Sequence, residues 1–441
     1  MIVRIKEFIL LQIIFPVADF VMGTCATKWY RQIKLMNSWK KEEITDWQNK
    51  QLQKLMVHVY ENTIYYKRVF DERGLKPEDI QCADDLKKLP VITKDIARKH
   101  FDEIVPKNIS SIKHRKAKTG GTTGMPMHYY CDENIWGVVT ALKIYSWKTL
   151  GYHYGERFVT LGSSSLFPFE KKSPILRIYN LMRSGIPLNG INLTDDICRQ
   201  YVDIIKKKKI CYIYGYAASI YILTKYVANN NIDLTQIKAV FSTSEMLTDN
   251  YRKLISETYR CPVMDCYGAR DAGIAAYEIK PRQYHIGYNV IAEVINPFEE
   301  NTGTLITTNL INYSFPLIRY QYGDEAQLVN NSAHYNGQLI TRIIGRTNDV
   351  MRLDNGHNLT ATGFSMAMKA FDVIAFEINK TGGLEVELKI QPDRELYNQE
   401  QESKIRQTIH KYVGNDCKVN IVYVESFAPL QNGKRRYFMN N

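Results

Sequence analysis

The sequence predicts an α/β fold, with a large domain of helix-flanked, mostly parallel sheets followed by a small α+β domain. Short apolar runs at 157–162, 210–214, 239–242 and 263–266 are separated by amphipathic stretches long enough for helices. That rhythm is the one strands joined by helical crossovers produce. From residue 283 the pattern changes to closely spaced short strands, and it ends in a strand-helix-strand tail with segments at 374–379, 385–390, 399–413 and 419–424. A tail of about a hundred residues has room for its own core. At 441 residues the chain exceeds what one small core can organise. The expected division is an apolar N-terminal helical segment at 1–45, a core domain at 46–345 and a C-terminal lid at 346–441.

The elements follow in order. Residues 8–22 are apolar but broken by Pro16, carry Gln12 and Asp19, and fall short of the ~20 residues a membrane-spanning helix needs. A cleaved signal peptide is disfavoured because Gly23-Thr24-Cys25-Ala26 is a poor processing site. Two readings stay open for residues 1–35: a helix packed on the protein, and a helix lying in a membrane interface with Lys28, Arg31 and Lys34 toward it. Within 47–70, Leu52, Leu55, Met56, Val59 and Tyr60 recur at helical spacing. A further helix is expected to begin at 76–79, and 89–94 reads as a connector in which Thr93 caps the next helix. Residues 133–148 read as a helix leading to the first buried strand.

Composition narrows the partners. Apolar content of 45% with 24% charged residues is ordinary for a folded chain. The net charge of +12 suits anionic small molecules or an acidic membrane surface. Nucleic acid is not indicated, because the basic residues are dispersed; the longest run, 206–209, reads as a solvated helix end entering a buried strand. The eight cysteines are irregularly spaced and form no Cys-x-x-Cys pair, so reduced thiols in a cytoplasmic protein are expected. Cys261, Cys266 and His285 do not make a zinc set.

One stretch carries a chemical signal: Lys118-Thr119-Gly120-Gly121-Thr122-Thr123-Gly124-Met125-Pro126-Met127, after the basic 113–118. Its glycines let main-chain N–H groups approach an anion, and its threonines add donors, as a phosphate cradle requires. It is not a Walker loop, since neither Gly-Lys-[Ser/Thr] nor an immediate helix follows. Taken alone, such a run is more often an ordinary turn.

The run resembles the phosphate-binding signature of the adenylate-forming enzymes, the superfamily of acyl-CoA synthetases. Further segments resemble that superfamily's motifs in the same order. Thr243-Ser244-Glu245-Met246 is similar to the segment beside the adenine, and Tyr267-Gly268-Ala269-Arg270-Asp271 to Tyr-Gly-x-x-Glu. The stretch ending Tyr322-Gly323-Asp324 is similar to the ribose-binding segment, Gly345-Arg346-Thr347-Asn348-Asp349 to the interdomain hinge, and Asn432-Gly433-Lys434 to the C-terminal lysine segment. The likeness is greatest to the phenylacetate-CoA ligase family and its capsular-polysaccharide-biosynthesis relatives, from about residue 45 to the end.

The resemblance implies an ATP-dependent ligase that activates a carboxylic acid as acyl-AMP, releases pyrophosphate and passes the acyl group to coenzyme A. It assigns Gly120, Gly121, Thr122, Thr123 and Gly124, with Thr119, to the phosphates. Ser244, Glu245, Tyr267, Gly268 and Ala269 fall to the adenine, and Asp324 and Arg346 to the ribose. Asp271 is implied for Mg²⁺, Lys434 for catalysis, Asn348 for the hinge, and Tyr216, Ala217 and Ser219 for the acyl pocket. Each has a plain alternative, such as a turn cap for Asp324 or surface charge for Arg346 and Lys434. Four positions depart from the family pattern: Met125 stands in place of lysine, Asp271 of glutamate and Asn348 of aspartate, and proline is absent before Ser219. Alternative readings are acyl transfer to an amine or hydroxyl of a sugar or glycan, and a nucleotide-binding scaffold without catalysis. The expected setting is cytoplasmic, with the inner face of the membrane open.

Overall fold

The computed structural model describes residues 2–119, 127–163, 166, 184–190, 193–329, 336–344, 350–360, 364, 367–368, 371–392, 397–425 and 438–439. Strands β1 (Ile92–Thr93), β2 (His114–Lys118) and β3 (His128–Asp132) come first. The parallel half of the central sheet is built from β4 (Phe158–Gly162), β5 (Gly185–Asn189), β6 (Tyr212–Tyr216), β7 (Ala239–Thr243) and β8 (Val263–Ala269), in the order β5-β4-β6-β7-β8. The antiparallel half holds β9 (Ile274–Lys280), β10 (Gln283–Ile286), β11 (Val290–Glu299), β12 (Thr302–Asn309), β13 (Tyr320–Val329) and β14 (Leu339–Ile344). Their order is β9-β10-β14-β13-β12-β11, and β1 joins β13 in parallel to complete a 12-stranded sheet.

The sheet is thus mixed, with antiparallel pairing beginning one strand ahead of residue 283. Only residues 270–273 separate the paired Ala269 and Ile274, too few for a parallel crossover. Gly273, at φ +64°, completes that turn.

Side-chain alternation explains the layers. Phe158, Tyr212, Tyr214 and Phe241 face one side, where Trp147 of the helix Glu133–Thr149 stacks on Phe241 at 4.4 Å. Val159, Leu161, Ile213 and Val240 face the other, against the helices Asp195–Lys207, Ala217–Asn229 and Asp249–Tyr259. Lys206, Lys207, Lys208 and Lys209 are exposed, as a solvated helix end should be.

Two helix expectations are revised. The helix spanning 47 starts earlier, as Lys41–Asn62, and stops at Thr63, whose side chain accepts the Tyr66 N–H and starts Ile64–Glu72. The helix expected from 76–79 is instead two short 3₁₀ turns, Pro77–Asp79 and Ala83–Lys88. The Asp79 and Asp85 carboxylates reach back to the N–H groups of Lys76 and Cys82, a local bond that competes with helix propagation. Thr93 does cap the helix Lys94–Lys99.

Beyond the central sheet lie the hairpin β15 (Val350–Arg352) and β16 (Asn358–Thr360), then β17 (Val373–Gly382), β18 (Glu385–Pro392), β19 (Lys418–Tyr423) and β20 (Phe438–Met439). The last four form a separate sheet in the order β19-β18-β17-β20. The helix Gln399–Val413 buries Ile405, Ile409 and Val413 with Ile378, Val386, Leu388 and Ile390, a core of its own.

At the N-terminus, Ile2–Ile9, the π-helical Leu10–Ile14 and Phe15–Met22 make one continuous helical rod that ends at Gly23 (φ +62°). No described helix is long and apolar enough to cross a membrane. All eight cysteines are free, and His285 is buried with Nδ1 2.9 Å from the Tyr277 hydroxyl.

Asp265 is buried in β8, where Tyr284 donates to it at 2.8 Å and its own N–H donates to Glu278, which Arg252 pairs. Ser242 of β7 also faces it. Burial, and then the Glu278 charge, push the Asp265 carboxyl up to about 6. Its folded pKa therefore lies above the ordinary carboxylate value. The stability it contributes is fully present below about pH 4 and is lost as pH rises through about 6. Asp265→Asn should flatten the fall in unfolding free energy between about pH 4 and about pH 7. The gain at pH 7.5 should approach roughly 3 kcal/mol, read by urea denaturation.

Candidate active site

In open α/β sheets ligands bind outside the carboxyl ends of the parallel strands, where strand order reverses. Here β4 is flanked by β5 and β6, so the crevice falls beyond Gly162, Asn189 and Tyr216. Gly215 permits this packing, since a Cβ there would lie 2.2 Å from the Leu161 carbonyl oxygen. The chain beyond β4, β6, β7 and β8 then supplies the candidate residues.

At the β6 end, Tyr216 OH and Ser163 Oγ lie 2.7 Å apart, both buried. Ser219 Oγ donates to the Gly190 carbonyl at 2.6 Å, and Ala217 is fully buried. Tyr216, Ala217 and Ser219 are therefore buried at the carboxyl end of β6, with Ser219 tying the chain after β5 to the helix Ala217–Asn229. That helix has no side-chain cap of its own. The Glu245 carboxylate, beyond β7, accepts the Ala218 N–H at 2.8 Å and sits against the positive end of the helix. Between β7 and Glu245, Ser244 holds φ +68°, a left-handed conformation unfavourable for a residue with a Cβ.

At the β8 end, Tyr267, Gly268 and Ala269 close the strand and lead to Asp271. The β13 strand crosses nearby with an arch: between the pairs Ile306–Gln321 and Thr304–Glu325 it advances four residues while β12 advances two. Gly323, at φ +95°, takes the bend. Bulges of this kind re-aim side chains beside functional sites. Tyr267 OH donates to Asp324 Oδ2 at 2.8 Å and lies 3.3 Å from Tyr322 OH. Tyr320 OH donates to Asp271 Oδ2 at 2.9 Å. Burial raises all three phenols well above their ordinary value, with the nearby Tyr322 and Asp324 adding at Tyr267, Asp271 at Tyr320 and Asp324 at Tyr322. They stay protonated, and Tyr267 and Tyr320 donate to carboxylates.

The Tyr320 hydroxyl also touches Met127 Sδ at 4.0 Å. Met127 and Thr119 close the β2–β3 hairpin reciprocally, each accepting the other's N–H at 2.9 Å, through the Met127 carbonyl and Thr119 Oγ1. Thr119 and Met127, the residues that flank the Gly-Thr run, are thereby joined to each other, and Met127 shares the Tyr320 hydroxyl with Asp271. Gly120, Gly121, Thr122, Thr123 and Gly124 lie outside the described residues, as do Arg346, Asn348 and Lys434.

The hairpin is anchored below. Asp132 caps the helix Glu133–Thr149 by accepting from Asn134 and Ile135, and also accepts the Tyr313 N–H at 3.0 Å. Asn312 donates to the Tyr130 and Phe315 carbonyls. Arg319, at φ +53°, is buried against Glu293, donates to Leu89 O at 2.7 Å, and sets the start of β13. Tyr320 and Tyr322 lie in the segment similar to the ribose-binding motif, but the sequence assigned neither a role. Their positions four and two residues before Asp324 were the available signal, since an even spacing places all three on one strand face.

Among known proteins, 2-hydroxyisobutyryl-CoA ligase in complex with 2-HIB-AMP and CoA, in the thioesterification state, superposes with a TM-score of 0.58 at 18% identity, over 91% of this chain and 90% of that one. The fold is that of the adenylate-forming ligases. Residues 352–441 match the family model described as the CapK C-terminal domain. Protein CapK of Staphylococcus aureus is 25% identical over 421 residues, covering 94% of this chain and 92% of that protein. The phenylacetate-coenzyme A ligase of Escherichia coli (strain K12) is 23% identical over 441 residues, covering 89% and 94%.

Ser244→Gly should relieve the backbone at the β7 exit. An increase in unfolding free energy of about 1 kcal/mol is expected, measured by thermal or urea denaturation.

Proposed function

We propose that the protein is an AMP-forming ligase. A carboxylate oxygen of the substrate attacks the ATP α-phosphorus, the bond to the bridging oxygen breaks, and pyrophosphate leaves. The resulting acyl-AMP then gives its acyl group to the thiol of coenzyme A, releasing AMP and a proton. The supporting observation is the pair of carboxylates Asp271 and Asp324, each held by a protonated tyrosine, at the carboxyl edge of the parallel strands beside the Thr119–Met127 bracket.

Each residue has a role in this reading. The run from Thr119 to Gly124 receives the β and γ phosphates through main-chain N–H groups. Ser244, Glu245, Tyr267, Gly268 and Ala269 border the adenine, and Asp324, fixed by Tyr267, accepts from the ribose hydroxyls with Arg346. Lys434 brings positive charge to the α-phosphate as it is attacked. Residues 345–349, with Asn348, form the hinge between a core domain at 46–345 and a lid at 346–441. Tyr216, Ala217 and Ser219 back the acyl pocket.

Mg²⁺ fits the donors present. No group of three or more His, Cys, Asp or Glu side chains converges among the described residues, and this ion is commonly held by one or two carboxylates plus substrate phosphates. Asp271 is half-buried and engages Tyr320 through one oxygen, so its carboxylate can serve as that ligand. Bound there, Mg²⁺ would neutralise charge on the phosphates.

The test is ATP–pyrophosphate exchange over a panel of carboxylic acids, with the product trapped by coenzyme A or hydroxylamine. Lys434→Ala should lower exchange about 100-fold or more while nucleotide still binds. Asp324→Ala should raise the KM for ATP about tenfold or more. Thioester formation is the expected second step. Hydroxamate without thioester would assign the acyl group to an amine or hydroxyl acceptor, such as that of a glycan. Absence of exchange with every acid would leave a binding scaffold, and undiminished exchange in Lys434→Ala would remove that lysine from its role.

A further inference from the structure

The N-terminal rod has two apolar faces, and the fold accounts for only one. Its inner face buries Leu10, Leu11, Phe15 and Ala18 in the main core. Its outer face exposes Ile5, Phe8, Ile13, Val17 and Phe20, with Phe8 63% and Phe20 87% accessible. Positions 5, 9, 13, 17 and 21 are all apolar and exposed. At 3.6 residues per turn such four-residue steps drift round an α-helix by about 40° each. The wider π turn at Leu10–Ile14 takes up part of that drift, so the stripe stays on one side.

The charges are sorted in the same way. Glu7 and Asp19 are the only acidic residues before residue 42, and both are turned inward and buried. Glu7 pairs with Lys148 and His153 and accepts the Tyr154 N–H. Asp19 accepts the Ala26 and Thr27 N–H groups and so caps the helix Ala26–Met36. Arg4, Lys28, Arg31 and Lys34 are exposed. Arg31 reaches Gln12 at 3.1 Å, which seats the basic helix along the outer side of the rod. The exposed surface of residues 4–36 therefore combines apolar side chains with positive charge and the neutral Gln12, and carries no acidic group.

We propose that this surface is a monotopic membrane-docking element that lies in the plane of an anionic bilayer. Phe8, Ile13 and Phe20 enter the acyl boundary, and Lys28, Arg31 and Lys34 meet the acidic headgroups. A second copy of the chain is the rival occupant. It is disfavoured because an isologous contact would bring this all-positive surface against itself. The inference does not depend on the ligase reading.

The test is co-sedimentation of the full chain with two kinds of vesicle, one of phosphatidylcholine and one an equal mixture of phosphatidylcholine and phosphatidylglycerol. Partitioning onto the mixed vesicles is expected, with little onto the neutral ones. Phe8→Ser with Phe20→Ser should lower the partition coefficient on the order of tenfold or more. Lys28→Gln and Lys34→Gln should each lower it about fivefold, with thermal unfolding unchanged in every variant. Failure of the wild type to bind mixed vesicles, or equal partitioning onto neutral ones, would overturn the proposal. So would a wild-type dimer, by analytical ultracentrifugation, that the double serine variant turns into monomer.

Discussion

A single buried carboxylate holds the β2–β3 hairpin in place. Asp132 ends β3, caps the helix Glu133–Thr149 and takes the Tyr313 N–H, while its own N–H donates to Asn312 Oδ1 at 3.3 Å. Burial pushes this carboxyl up to about 6 against the opposing effect of its three N–H donors. The hairpin, the long helix and the 309–315 turn therefore share one residue. Shifting any of them leaves a buried oxygen or N–H without its partner, which costs about 1–3 kcal/mol per group. Asp271, Tyr320 and Met127 come together because these segments cannot slide independently.

Much of this was legible in the sequence, and the successes share a cause. The parallel strands and their helices are read from period because both faces of each strand bury apolar residues, as Val159 and Leu161 do on one side and Phe158 on the other. The segments bearing Ser244, Tyr267, Asp271 and Asp324 were found as local patterns, and the fold gathers them at the same strand edge. The misreadings were also local in origin. The Lys76 and Cys82 turns close on aspartates three residues ahead, a competition that apolar spacing does not register. The β13 arch was hidden because a two-residue excess preserves the inside-outside alternation.

Tyr320 and Tyr322 were given no role for another reason. A tyrosine in a strand is as readily core as site, and Tyr320 is both: its ring is buried and its hydroxyl reaches Asp271. Such partners become visible only when strands distant in sequence are laid side by side. Arg319 and Glu293 belong to the same class, since their pairing depends on β11 and β13 flanking β12. Breaking a buried pair of this kind commonly costs about 3–5 kcal/mol, so the approach to β13 is held by charge as well as by packing.

The state of the thiols bears on how an acyl anhydride would fare in this cleft. Cys266 precedes Tyr267, and Cys131 lies on β3 within the electrostatic reach of Asp271. Burial pushes Cys131 up to about 12 and raises Cys266 further still. Sulfur attacks acyl groups as thiolate, and at neutral pH these side chains hold almost none. A mixed anhydride formed beside them would not be intercepted by the protein's own sulfur. It could wait for an external nucleophile, and the enzyme would be spared acylating itself.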